Sequence, residues 1–308
     1  MCAPAWSRCP FFPGMLLRVA LTLALLPLGL LACQDRAPQQ DRSREEPAAP
    51  PPASVTQPRP PSQEAPRPPL RYRRVAIPGP ARLRVVRDSL GTSGFATVLK
   101  INRIDLQHVY AGDSLIIPEG LRDRTEGDSL RYSPFPPNLP AADSLPKLLL
   151  VSLRVQAFGA YERGTLVRWG PASTGKKATP TPARLYHTNW KDQERTSTVN
   201  GEWILLWYLN LDNIEGISIH QYALPGYPAS HSCVRLSEKD ARWLYAWAEQ
   251  WRLAPDGAAI LEQGTPVLVF GEYPFGRRRP WKRLPEEPEA TTIPASEIET
   301  VLRNHLAR

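Results

Sequence analysis

Cysteine is scarce in this sequence, with four in 308 residues. Cys2, Cys9 and Cys33 lie near the N-terminus, and Cys233 lies deep in the chain. This number and placement exclude the disulfide framework that holds many small exported domains together. An isolated cysteine in the C-terminal half of the chain is instead a candidate reactive thiol.

The sequence also lacks any recognised nucleic-acid-binding motif, although its formal net charge is +8. Most of the positive charge comes from arginine, and it is spread along the chain. We therefore predict that the protein binds no nucleic acid. A basic balance of this kind suits an anionic polymer or a membrane surface.

The apolar run Leu16–Leu31 is shorter than the ~20 residues of a comfortable membrane span. Arg18 lies near its start and the run ends in Leu-Leu-Ala-Cys, so residues 1–32 are predicted to be a secretory signal peptide. The ending resembles the lipobox of bacterial lipoproteins, which implies that Cys33 is lipidated and begins the mature protein. The protein is then exported and lipid-anchored to the membrane, facing the periplasm or cell wall. An ordinary signal peptide or an anchor with a coincidental cysteine is the alternative.

Residues 33–70 are rich in proline, glutamine, arginine and glutamate, with almost no large apolar side chains. Such a segment buries too little apolar surface to offset the entropy of ordering. It is therefore predicted to be a disordered linker behind the lipidated Cys33. Residues 123–146 are predicted to be a second linker.

Residues 71–122 are predicted to form a small α/β module. Apolar side chains follow helical spacing over Phe95–Ile101, and a Gly112-Asp113 turn precedes an apolar strand that ends at Pro118. This pattern resembles the second half of a LysM module, which implies binding to glycan strands. A spacer module that binds nothing is the alternative.

Residues 147–273 carry the pattern of a mainly β domain. Apolar residues alternate with polar ones from Val151 to Ala157, as in a half-buried strand. Ser237 and Asp240 form a helix-capping pair, followed by apolar residues at helical spacing. We therefore predict a mostly antiparallel sheet with one packed helix. The remaining residues, 274–308, are predicted to be a basic, Pro-rich tail with a short terminal helix that is dispensable for the chemistry.

Side chains capable of chemistry are concentrated around Cys233. His220 ends a predicted strand, and His231 lies two residues before the cysteine. A thiol needs a neighbouring base or cation to become an effective nucleophile, and imidazole has a suitable pKa. The residues alone leave open a structural zinc site and a buried inert cysteine. Zinc sites have three or four ligands and often a cysteine pair, and no second cysteine is available here.

The stretch Ile219–Leu236 contains His220 and then Ser-His-Ser-Cys-Val-Arg at 230–235, which resembles the signature of the YkuD-type L,D-transpeptidases. Further landmarks resemble that family in the same order. They are Ser-Thr-Gly-Lys at 173–176, Thr-Pro-Thr at 179–181 and Gly-Thr-Pro-Val at 264–267. The likeness covers about residues 148–271.

Two positions depart from the family pattern. Ser232 and Pro182 stand where the family has glycine. If the backbone at residue 232 needs a positive φ, serine adopts it at a cost of about 1 kcal/mol. Serine still has a backbone N–H, so an oxyanion hole built from backbone amides survives the exchange.

The resemblance implies an L,D-transpeptidase-like antiparallel β sandwich that acts on peptidoglycan stem peptides and needs no metal or cofactor. It also implies a role for each residue of the signature. These roles are Cys233 as the nucleophile that forms a thioester, His220 as the proton acceptor and donor, His231 as an orienting or polarising group, the backbone N–H groups of Ser232 and Cys233 as the oxyanion hole, and Arg235 and Ser230 as substrate-binding residues.

Several outcomes on the same scaffold remain open. An amine acceptor gives cross-links or attachments in the cell wall, whereas water gives an L,D-carboxypeptidase or a cross-link hydrolase. A non-catalytic peptidoglycan-binding lipoprotein is an alternative of a different class. A papain-like protease has little support, because Cys233 lies late in the chain.

Overall fold

The computed structural model of the protein describes residues 69–121 and 126–306. The predicted signal peptide, the predicted lipidation of Cys33 and most of the first predicted linker lie outside the described residues. Within the described ranges, no helix is long and apolar enough to cross a membrane.

A small module precedes the main sheet, and it contains two strands and one long helix. Its elements are β1 (Tyr72–Ile77), α1 (Pro80–Asn102) and β2 (Asp113–Pro118). The two strands pair antiparallel, and the apolar side chains of all three elements form a core of their own. Pro80 suits the first helical turn, where its missing N–H has no partner to lose.

The predicted helical spacing over Phe95–Ile101 and the predicted strand that ends at Pro118 are present in this module. The apolar pattern does not reveal strand β1, because Arg73 and Arg74 interrupt it. It also does not reveal the first half of α1, which is largely exposed and is separated from the second half by a kink at Gly91 with φ 67°.

A nine-stranded curled sheet dominates the rest of the described chain. Its first eight strands are β3 (Lys147–Ser152), β4 (Ala157–Glu162), β5 (Thr165–Ser173), β6 (Leu185–His187), β7 (Lys191–Thr196), β8 (Ile204–Asp212), β9 (Ile217–Gln221) and β10 (Val234–Leu236). A separate short hairpin follows, formed by β11 (Arg252–Leu253) and β12 (Ile260–Glu262). The ninth strand of the sheet is β13 (Pro266–Phe270). The order across the sheet is β6-β13-β3-β4-β5-β10-β9-β8-β7.

Most neighbouring strands are antiparallel, as the sequence predicts, but β13 runs parallel to β3 and β10 runs parallel to β9. Successive side chains of a strand point to opposite faces, so each buried strand contributes to two cores. Leu149 and Val151 pack in one apolar cluster, whereas Leu148 and Leu150 pack in another. This explains why β3 reads as a continuous apolar run.

The packed helix expected after the cysteine is α2 (Glu238–Trp247). Ser237 is its N-cap and accepts a hydrogen bond from the Asp240 backbone N–H at 3.2 Å, so the predicted capping pair is present. The Asp240 carboxylate is buried, and Arg168 of β5 donates to it at 2.8 Å. Leu244 and Trp247 face the sheet core.

The segment predicted as a Pro-rich tail belongs to the core. Its terminal helix is present as α3 (Ala295–Leu306), and Ile298 and Leu302 of that helix are buried. Trp281 and Ile293 are buried in the same apolar cluster as the sheet residue Trp169. The composition does not predict this packing, because the apolar residues stand singly between prolines and charged residues.

A buried arginine joins the module to the sheet. Arg103, the left-handed C-cap of α1, is 2% exposed and lies between the rings of Trp169 and Trp281. Its Nε donates to the Val155 carbonyl at 2.8 Å. Nearby, the Leu224 backbone N–H donates to the Asp105 carboxylate at 2.8 Å, so the module supports the chain between β9 and β10.

Candidate active site

The parallel pairing of β9 and β10 sets the site. Arg235 lies opposite His220 in this register. Since side chains alternate along a strand, Ser218 and His220 share one face of β9, and Arg235 shares that face on β10. Cys233, two residues before Arg235, lies on the same side and contacts Ser218. The intervening Ile219 and Val234 point into the apolar core.

A cavity of about 410 Å³ lies over this face. Ser218, His220, His231, Cys233 and Arg235 all line it. Other lining residues come from β7, β8 and the chain beside them: Trp190, Arg195, Thr196, Val199, Trp203 and Tyr208. The structure therefore brings His220, Ser230, His231, Cys233 and Arg235 of the sequence signature to one concave site.

His220 is held as a neutral imidazole with a defined tautomer. It is 3% exposed, and its Nδ1 lies 2.9 Å from the Gln221 carbonyl oxygen. A carbonyl only accepts hydrogen bonds, so Nδ1 carries the proton and Nε2 is left as an acceptor. Burial lowers the pKa of His220 to about 4, with the Arg235 charge in support and the Gln221 hydrogen bond in opposition.

Cys233 is also held in its neutral form. Its side chain is partly exposed, and the Ser218 hydroxyl donates to Sγ at 3.2 Å. Burial raises the pKa of the Cys233 thiol above its ordinary value, while the Ser218 hydrogen bond and the Arg235 charge lower it. Thiol and imidazole are thus both uncharged near neutral pH, which favours proton transfer during attack over a preformed ion pair.

The loop that carries the cysteine has a left-handed backbone at Ser232, with φ 80°. Residue 232 therefore has the positive φ that favours glycine, and serine occupies it. The backbone N–H groups of Ser232 and Cys233 donate no hydrogen bond to any residue of the described chain. Both N–H groups are therefore unpaired within the described part of the chain.

The Ser-Thr-Gly-Lys and Thr-Pro-Thr segments hold this loop from outside. The Ser230 backbone N–H donates to the Thr174 carbonyl at 3.0 Å, and the Thr181 hydroxyl donates to the Ser232 carbonyl at 2.7 Å. Gly175 lies so close to residue 179 that a Cβ would overlap the Thr179 carbonyl. These segments therefore support the loop that carries Cys233.

The signature residues do not all face the thiol. The Ser230 hydroxyl donates to the Cys233 carbonyl at 2.5 Å, which occupies its proton within the loop. His231 Nε2 lies 3.1 Å from Lys176 Nζ, and its ring packs against Trp203 with centroids 5.5 Å apart. Within the described ranges, no group of three or more potential ligands is arranged to hold a metal ion.

Arg235 is a half-buried cation that stacks on Tyr222, with the guanidinium 4.6 Å from the ring centroid. Burial lowers the pKa of Arg235, and among the described residues no carboxylate forms an ion pair with it. A half-buried guanidinium without a carboxylate partner among the described residues, in the wall of a cavity, is suited to bind an anionic group of a ligand.

The sequence does not predict the place of three further residues in this site. Ser218 lies two residues before His220, so strand alternation alone places it on the same face. Lys176 belongs to a recognised landmark, but its partner is 55 residues away. Tyr208, whose ring stacks on His220 with centroids 6.4 Å apart, comes from β8, where register shifts make the facing side chains unpredictable from alternation.

Comparison with known proteins gives one family. Residues 146–269 match the model of the YkuD family, the L,D-transpeptidase catalytic domain. The resemblance stated from the sequence signature is thereby confirmed for this part of the chain. A search of curated proteins finds no match.

L,D-transpeptidases are among the solved structures similar to the chain. That from Stackebrandtia nassauensis is 24% identical over 42% of this chain and 58% of its own, with a TM-score of 0.34. That from Mycobacterium smegmatis is 19% identical over 41% of this chain and 59% of its own, with a TM-score of 0.33. That from Xylanimonas cellulosilytica is 23% identical over 67% of this chain and 100% of its own, with a TM-score of 0.37. This chain thus spans less than two thirds of the first two proteins.

Proposed function

We propose that this protein is an L,D-transpeptidase that acts on peptidoglycan stem peptides through a thioester at Cys233. The observation that carries the proposal is the common face formed by Ser218, His220, Cys233 and Arg235 at the wall of one cavity. The family match over residues 146–269 supports the reaction class.

In the first half-reaction, Sγ of Cys233 attacks the carbonyl carbon of the third stem residue while Nε2 of His220 takes the thiol proton. The carbonyl oxygen becomes an oxyanion, and the free N–H groups of Ser232 and Cys233 stabilise it; one such donor is worth ~3 kcal/mol. The C–N bond to the terminal D-alanine then breaks, and its nitrogen receives the proton from His220. A thioester remains.

In the second half-reaction, an acceptor amine attacks the thioester and loses a proton to His220, which returns that proton to the departing thiolate. The products are a new amide bond and the free Cys233 thiol. Arg235, which has no carboxylate partner among the described residues, pairs with a carboxylate of the donor stem.

The segment that precedes the described residues supports a cellular setting for this reaction. We propose that the protein is exported, that Cys33 is lipidated, and that the Pro-rich chain tethers the enzyme to a membrane facing the cell wall. Cys33→Ser is expected to release the protein from membranes while the domain stays folded. Unchanged membrane fractionation of that variant would count against the anchor.

The enzyme proposal is tested by the intact mass of the lipid-free protein after incubation with a carbapenem or with a purified tetrapeptide stem. A mass increase that disappears in Cys233→Ala is expected. A protein that gains no mass, or gains the same mass without Cys233, would count against the enzyme proposal and favour the non-catalytic wall-binding alternative. Analysis of the stem products then separates amine from water as the acceptor.

A further inference from the structure

Lys176 contacts the nucleophile loop at two points. Its backbone N–H donates to the Ser230 carbonyl at 3.0 Å, next to the bridge between Gly175 and Ser230. Its ammonium nitrogen lies 3.1 Å from Nε2 of His231. Lys176 therefore contacts both the main chain of Ser230 and the side chain of His231, in the loop that leads to Cys233.

The chemistry of this contact fixes the state of His231. A lysine ammonium has only protons to donate, so Nε2 of His231 is the acceptor, and the neutral ring carries its proton on Nδ1. That Nδ1 is buried and has no hydrogen-bond partner in the described chain. One ring nitrogen is thus occupied by Lys176, and the other is shut away from solvent.

The contrast with His220 is instructive, because both histidines line the cavity and both carry the proton on Nδ1. His220 uses its Nδ1–H for the Gln221 carbonyl and keeps Nε2 as an acceptor. His231 has the reverse arrangement, since its acceptor nitrogen is the one already bonded. Nε2 of His220 can therefore accept a proton, whereas Nε2 of His231 is already bonded to Lys176.

We propose that Lys176 is a positioning residue for the proposed thioester reaction: it holds His231 as a neutral, fixed imidazole that orients the loop and takes no part in proton transfer. His220 is then the imidazole of this cavity that exchanges a proton with Cys233. This inference rests on the proposed function for its meaning, but the state of His231 is measurable without it.

The experiment is a comparison of Lys176→Met, Lys176→Arg and the matched control Lys177→Met, which removes the exposed neighbouring lysine. Imidazole nitrogen spectra of the intact lipid-free protein, with His231→Asn for assignment, report the tautomer. Wild type, Lys176→Arg and Lys177→Met are expected to show His231 protonated on Nδ1. Lys176→Met is expected to show a population protonated on Nε2 and to acylate about 10- to 100-fold more slowly, since small misplacements cost that much.

Two results would overturn the inference: a wild-type His231 protonated on Nε2, or a Lys176→Met protein whose tautomer and acylation rate both equal those of wild type. If Lys176→Met does not fold, the wild-type tautomer and its retention in Lys176→Arg decide the question. If wild-type Cys233 forms no acyl adduct at all, the proposed function fails, while the nitrogen spectra still decide the state of His231.

Discussion

The strand pair that carries the candidate base and the loop that carries the candidate nucleophile are built in different ways. His220 and Arg235 lie on β9 and β10, where the backbone ladder fixes which side chains share a face. Ser232 lies in a loop with a left-handed backbone that is held by the hydroxyl of Thr181. The strand side depends on regular structure, whereas the loop side depends on a distant segment, so substitutions on the two sides should fail differently.

The largest effect is expected from the strand side. His220→Ala removes the proposed acceptor of the thiol proton, so we expect acylation of Cys233 to slow by about 10²–10⁴-fold with little change in fold. The measurement is the rate of mass gain with a carbapenem under single-turnover conditions. An unchanged rate would show that the base lies elsewhere in the cavity.

The burial of His220 also predicts how stability depends on pH. Its pKa is about 4 in the folded protein and near 6.5 in an unfolded chain, so the folded protein binds the proton less readily. Stability from this group is therefore complete above about pH 6.5 and is lost as the pH falls toward 4, by up to about 3 kcal/mol.

Urea unfolding at a series of pH values checks this prediction. His220→Gln, which cannot titrate, is the control and should lose the part of the pH dependence between about pH 6.5 and 4. The same slope in both proteins would mean that other groups cause the acid sensitivity.

The loop side is tested at Thr181, whose hydroxyl accepts from the Gly175 N–H at 2.9 Å and donates to the Ser232 carbonyl at 2.7 Å. Thr181→Val keeps the shape but leaves both backbone groups without a partner, which we expect to cost about 2 kcal/mol in the free energy of unfolding. Acylation should slow as well, because the loop is no longer fixed. Thr181→Ser keeps the hydroxyl, so it should acylate like wild type and lose less stability than Thr181→Val.

The difference between regular strands and a loop held by distant residues also explains which features the sequence predicts. Strand alternation and a capping pair are local patterns, so the mainly β fold, helix α2 and the clustering of His220 with Cys233 follow from them or from the family signature. The contact between Lys176 and His231 joins residues 55 positions apart, and no local pattern encodes it. The burial of Trp281 is not predictable from the sequence for a related reason. This residue stands alone among prolines and arginines, and its burial depends on Arg103 and Trp169 of distant segments.

The smallest expected effect tests the loop backbone itself. Ser232 has φ 80°, a region that costs an L-residue roughly 1 kcal/mol relative to glycine. Ser232→Gly is therefore expected to raise the free energy of unfolding by about 1 kcal/mol and to leave acylation equal or faster, since the backbone N–H is retained. Ser232→Ala is the matched control, because it removes the hydroxyl but keeps the strained backbone, and it should bring no gain. If alanine stabilised the protein as much as glycine, the serine hydroxyl and not the backbone would be the source of the cost.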